Sequence, residues 1–141
     1  MPPPLRVIMV RRFDTDPTTL MAAWTKPQQI AGWWARSGAQ LMFAEANPIA
    51  GGRFIFITRD ADGGEHEYRG IYREIVPGDS IVIDWAKPAG RSLILQFWPI
   101  DGGTELTLTE SPFEDAADRD ARINRWSDAL ERLRTQVERR V

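Results

Sequence analysis

A chain of 141 residues is one domain's worth, and it is long enough to bury about two thirds of its unfolded surface without staples. Hydrophobic residues make up 43% and charged residues 27%, values that exclude a disordered chain. The net charge of −2 gives no nucleic-acid footprint. The absence of cysteine and the single histidine, His66, exclude disulfides, thiol catalysis, and cysteine-ligated or multi-histidine metal sites.

The apolar stretch Leu5 to Val10 is too short for a signal sequence. No run approaches the ~18 apolar residues of a membrane span, so a soluble, cytoplasmic protein is expected. A strand is predicted over Leu5 to Phe13. Asp16 can cap a short helix with Pro17 at its first position and Thr18 to Trp24 as its body. Thr25 can cap a second, with Gln28 as capping-box partner, carrying it through Trp33 or Trp34. A strand around Gln40 to Ala46 follows. Turn signals at Asp62-Gly63-Gly64, Pro77-Gly78-Asp79, Pro88-Ala89-Gly90 and Asp101-Gly102-Gly103 then separate five β-branched and aromatic runs: Arg53 to Asp60, Glu65 to Val76, Ser80 to Lys87, Arg91 to Ile100 and Thr104 to Glu110. These make an antiparallel meander. From about Asp118, Ile123, Trp126, Leu130, Leu133 and Val137 recur at three- and four-residue steps, one long amphipathic helix. The sequence thus reads as a single α+β domain over residues 1–141, its C-terminal helix laid across a curved sheet. Arg139-Arg140 reads as favourable charge at the helix end.

Register follows from the turns, because side chains alternate faces. A three-residue Pro88–Gly90 loop sets Trp85 opposite Leu93, Ile83 opposite Leu95 and Ile81 opposite Phe97. A two-residue Asp101-Gly102 turn sets Phe97 opposite Leu106, Leu95 opposite Leu108, and Leu93 opposite Glu110. The two hairpins agree on one apolar face, and Glu110 lies on it. A carboxylate there is costly unless hydrogen-bonded, paired or wet. If it lies in the Trp85–Leu93 layer, desolvation should raise its pKa, and Glu110→Leu should stabilise the protein or leave its stability nearly unchanged; the alternative is a strand-end carboxylate that points into solvent or is flipped outward by a bulge. On Glu65 to Val76, His66, Tyr68, Gly70 and Tyr72 share a face; a two-residue Gly78-Asp79 turn would set Tyr72 opposite Trp85 but Glu74 inward. A bulge could repair that, and Gly70 fits a bulge or a bend.

Trp24, Trp33 and Trp34 sit on the short helices, Trp85 and Trp98 on strands, and Trp126 on the long helix. Adjacent Trp33 and Trp34 diverge by ~100° around a helix, so one of them is exposed, lines a cavity, or meets a partner such as a second copy in a homodimer. His66 reads as a solvated edge residue. Gly51-Gly52 opens a strand, not the helix a phosphate loop needs.

The run FDTDPTTLMAAWTKPQQIAGWW, GGRF at Gly51 to Phe54, GIYREIVPGD from Gly70 to Asp79, TELTLTESPF, and the Trp126-to-Leu133 segment together resemble the bacterial relatives of the activator of the ninety-kilodalton heat-shock chaperone ATPase. The resemblance covers essentially the whole chain. It implies the START/Bet v-like (SRPBCC) helix-grip fold, a curved antiparallel sheet around a long C-terminal helix with a cavity between them. The chain departs from the family pattern at Asn47 and Ile49, where an acidic residue and an arginine are common, at Glu110, where histidine is frequent, and at Arg125, where a glycine precedes the helix tryptophan.

The apolar interior favours a non-enzymatic protein that binds a small apolar or amphipathic molecule. The candidate lining is Trp33, Trp34, Tyr72, Trp85, Leu93, Leu95, Leu108, Glu110 and Trp126, with no catalytic residue, metal or cofactor assigned. An alternative is a cyclase- or hydratase-like enzyme using Glu110 with Tyr68 or Tyr72. A third reading, from the resemblance alone, is a module that modulates a chaperone ATPase. The eukaryotic members carry a further N-terminal domain for that task.

Overall fold

A computed structural model describes residues 5–138. The chain runs β1 (Leu5–Phe13), α1 (Pro17–Thr25), α2 (Pro27–Ile30), β2 (Gln40–Ala46), β3 (Arg53–Arg59), β4 (Glu65–Val76), β5 (Ser80–Trp85), β6 (Ser92–Ile100), β7 (Gly103–Phe113) and α3 (Ala116–Val137). The seven strands form one antiparallel sheet in the order β1-β7-β6-β5-β4-β3-β2. Its curved inner face holds the core under α1, α2 and α3. This is the helix-grip arrangement expected from the sequence. Arg139-Arg140 lies outside the described residues.

Local chemistry explains most element boundaries. Asp16 caps α1 by accepting from the Thr19 backbone N–H at 2.8 Å, with Pro17 at the first helical position. Asp115 does the same for α3 through Asp118 at 2.8 Å. The second helix departs from expectation. Thr25 belongs to α1, where its hydroxyl donates to the Met21 carbonyl; Lys26 precedes α2 without a side-chain cap, and α2 ends at Ile30. Both tryptophans therefore sit in the turn beyond it, freed from helical phase.

The β6–β7 hairpin has the expected register, with Phe97 opposite Leu106, Leu95 opposite Leu108 and Leu93 opposite Glu110. The β5–β6 hairpin is offset by two residues. Its connection is longer than three residues, since the Trp85 N–H donates to the Arg91 carbonyl, and Ile83 rather than Trp85 faces Leu93. A slip of two preserves every face, so Trp85, Ile83 and Ile81 still point inward. Between β4 and β5 the turn takes three residues and the ladder bulges between Tyr72 and Glu74. That extra residue turns Tyr72 into the core while Glu74 stays outside. Gly70 is not the bulge. Its register is regular, and a Cβ there would lie 2.6 Å from the Asp84 carbonyl oxygen and 2.9 Å from the Phe54 ring. A glycine here leaves room for the Phe54 ring and the Asp84 carbonyl to approach β4.

On the outer face Arg73 makes a forked contact with Asp84, and both hydrogen-bond Ser92. These hydrogen bonds hold the Asp84 carboxyl below the usual carboxylate range, the Arg73 bond contributing most.

Candidate functional site

Glu110 is the polar residue that the inner face has to accommodate. It is fully buried, and the structure resolves how. Oε1 accepts from Arg122 Nε at 2.7 Å and from Trp126 Nε1 at 2.9 Å. Oε2 accepts from Arg122 Nη2 at 2.9 Å and from Trp85 Nε1 at 2.7 Å. The sheet supplies Trp85, while α3 supplies Arg122 and Trp126. One carboxylate therefore ties the two layers together through two indoles and a bidentate guanidinium, the strong form of a charge-assisted pair. The Arg122 guanidinium carbon also lies 5.3 Å from the Trp126 ring centroid and 5.6 Å from that of Trp85. The expectation of a stabilising Glu110→Leu change is thus reversed, because the carboxylate is paired rather than orphaned. All four acceptor positions are in use, which leaves none to take a proton from a substrate.

Beside this cluster the sheet and α3 part to leave a cleft of about 180 Å³. Its walls are Trp34, Ala35 and Arg36 from the turn after α2, Thr58 of β3, Tyr68 of β4, and Arg122, Arg125, Trp126, Asp128, Ala129 and Arg132 of α3. The Trp34 ring is the hub of its apolar side. It meets Phe56, Tyr68, Trp33 and Trp126 with centroids 5.2, 5.5, 5.5 and 6.1 Å away, in each case near edge-to-face, the favoured geometry for aromatic pairs. Thr58 is 4% exposed, and its hydroxyl has no hydrogen-bond partner among the described residues.

The nine residues singled out from the sequence divide clearly. Trp34 and Trp126 line the cleft. Trp33, Tyr72, Trp85, Leu93, Leu95 and Leu108 are buried in the core beneath it, and Trp33 is anchored by donating from Nε1 to the Ala23 carbonyl at 2.8 Å. Glu110 sits behind Arg122. Burial pushes the Tyr72 phenol well above its ordinary pKa, while Tyr68 faces the cleft. Of the adjacent tryptophans, Trp34 is the one turned to a cavity. His66 is an edge residue, as expected, but it is not merely solvated: its Nε2 lies 2.8 Å from Asp60 Oδ2. That bond is the main influence holding the Asp60 carboxyl below its usual range.

The arginines were not legible as a site. Arg122, Arg125 and Arg132 read as the solvated face of an amphipathic helix. The available signal was their phase, since with Ala129 they recur at three- and four-residue steps on the flank of the Trp126 stripe.

No group of three or more His, Asp or Glu side chains among the described residues could hold a metal ion. No helix among them is long and apolar enough to cross a membrane.

Comparison with solved structures returns the same architecture. A crystal structure of a protein from Chromobacterium violaceum superposes with a TM-score of 0.86 at 22% identity, covering 96% of this chain and 98% of that one. The solution structure of an AHSA1-like protein from Aeromonas hydrophila gives 0.83 at 21% identity, with 95% and 92% coverage. That of the Aha1 dimer from Colwellia psychrerythraea gives 0.78 at 15%, with 95% and 96%. At these identities the likeness establishes the fold alone. No curated protein matches the sequence. The family model described as Activator of Hsp90 ATPase homolog 1-like protein matches residues 14–138, from the turn after β1 to the end of α3, and the chain belongs to that family.

Proposed function

We propose that this protein binds a small amphipathic molecule, without catalysis, in the cleft between the sheet and α3. The observation that carries the reading is the cleft itself: an apolar wall of Trp34, Tyr68, Trp126 and Ala129 facing an opening rimmed by polar side chains. Ligand sites combine an apolar lining with a few placed polar groups in this way. Its volume is below the ~300–1,000 Å³ of sites for drug-sized ligands, so the occupant is small or inserts only one group.

Native mass spectrometry of protein purified from cells should show a bound small molecule. Titration with 2-naphthol should change tryptophan fluorescence saturably, and Ala129→Leu, which fills the cleft, should abolish the response while keeping a cooperative melt. No adduct, with no saturable response at millimolar 2-naphthol, would refute the proposal.

A further inference from the structure

The cleft has an electrostatic character that the apolar wall does not explain. Four arginines border it and one carboxylate, Asp128, in a chain whose net charge is −2. Arg122 is neutralised by Glu110. The other three are poorly compensated among the described residues. Arg36 approaches Asp60 only to 3.7 Å, and that carboxylate is already shared with His66. Arg125 makes no side-chain hydrogen bond or ion pair among the described residues. Arg132 spends its Nε on the Trp33 carbonyl at 3.0 Å, which orients the guanidinium and leaves both terminal nitrogens without a partner. Its pKa is lowered chiefly by burial, with Asp128 opposing and Arg36 adding to the depression. Arg36, Arg125 and Arg132 against the single carboxylate of Asp128 leave the rim of the cleft with surplus positive charge, which an anion would offset.

The opposite wall selects shape. Trp34 stands nearly perpendicular to Tyr68, at 85°, and to Trp126, at 82°. The gap they border has flat aromatic sides and little volume, which suits a ring better than a flexible chain. A guanidinium fork is the side chain that best matches a carboxylate in two parallel hydrogen bonds.

We propose that the cleft is a binding site for a small flat aromatic acid, its ring set against Trp34, Tyr68 and Trp126 and its carboxylate held by Arg132 with Arg36 and Arg125. This rests on reading the cleft as a ligand site and adds the chemical class. Thr58, on the sheet side, donates its hydroxyl to the same molecule.

The test is calorimetric titration of the full chain with 2-naphthoate, 2-naphthamide and octanoate. The first two share a ring and differ in charge; the third keeps the charge without the ring. Naphthoate should bind about tenfold or more tighter than either, the effect of charge-assisted hydrogen bonds on one side and aromatic contact on the other. Arg36→Gln and Arg125→Gln, whose side chains do not hold the core, should each weaken naphthoate several-fold and leave naphthamide unchanged. Arg132→Lys should retain charge but lose the fork, with a further loss for naphthoate only. Raising salt from 50 to 500 mM should weaken naphthoate and not naphthamide. Equal affinity for naphthoate and naphthamide overturns the anion assignment while leaving ligand binding in place. Equal affinity for octanoate overturns the aromatic part. No binding by any of the three overturns both this inference and the function it rests on.

Discussion

Replacing Glu110 by leucine removes the counter-charge of Arg122 and strands two indole N–H groups in one step. Breaking a buried ion pair by deleting one partner costs about 3–5 kcal/mol, and each orphaned buried donor costs about 1–3 kcal/mol. These figures do not simply add, because the Arg122 side chain is 19% exposed and can swing into the adjacent cleft to rehydrate. The net loss should therefore fall near the lower end, about 3 kcal/mol. With an unfolding entropy of about 2.1 cal/mol/K per residue near 60 °C, a 141-residue chain should lose about 10 °C in Tm. Urea denaturation of the wild type, Glu110→Leu, Arg122→Met and the double variant forms a cycle. The double variant should be more stable than the sum of the single losses implies, by roughly 1–3 kcal/mol, since it no longer carries an uncompensated charge. Strictly additive losses, or a single-variant loss below about 1 kcal/mol, would refute the idea that this carboxylate ties helix to sheet.

Gly70→Ala should cost roughly 1–3 kcal/mol through overpacking, because the new Cβ meets a carbonyl oxygen 2.6 Å away that cannot move without disturbing the β4–β5 ladder; denaturant melts check it. Asp16→Ala should cost about 1 kcal/mol by uncapping α1, read in the same way. Asp84 has its pKa depressed in the folded protein, so whatever it contributes is complete above the unfolded value of about 3.9 and is lost as pH falls through the folded one. The Tm difference between wild type and Asp84→Asn should therefore shrink between pH 6 and pH 2.5. It will be small at any pH, because the side chain is 44% exposed and solvent screens it.

What the sequence disclosed and what it withheld divide along a physical line. Interactions local in the chain were legible: the Asp16 end of α1, the apolar phase of α3, and the β6–β7 register set by a two-residue Asp101-Gly102 turn. From that register alone Glu110 could be placed opposite Leu93 on the core face. Its partners could not be named, because the alternation of a strand says nothing about the rotation of a helix lying over it, and Arg122 and Trp126 arrive by that rotation. The bulge after Tyr72 was visible only as a conflict between Tyr72 and Glu74, with no residue marking where the chain would resolve it. The end of α2 at Ile30 was missed because the Thr25 and Gln28 capping pattern suggested a longer helix, although Gly32 is a poor helix former; the turn there lets Trp33 pack against Trp24, centroids 4.6 Å apart, and bond to Ala23. The arginines of the cleft were hidden for a related reason. On a helix, a stripe of guanidiniums facing water and one facing a cavity have the same sequence.

The strand order carries a kinetic consequence. Among the described residues β1 is an edge strand with β7 as its one sheet neighbour, Val7 lying opposite Glu110 and Met9 opposite Leu108. β1 is therefore synthesised well before the strand it pairs with. Until β7 emerges, Val7, Met9 and Phe13, all buried in the finished fold, have nothing to pair with. The meander from β2 to β6 can form earlier from neighbours in sequence, but closing β1 onto β7 spans nearly the whole chain, and such long-range pairing slows folding. During synthesis the nascent chain thus presents an apolar N-terminal strand with unpaired amides, the kind of edge that invites association with another chain.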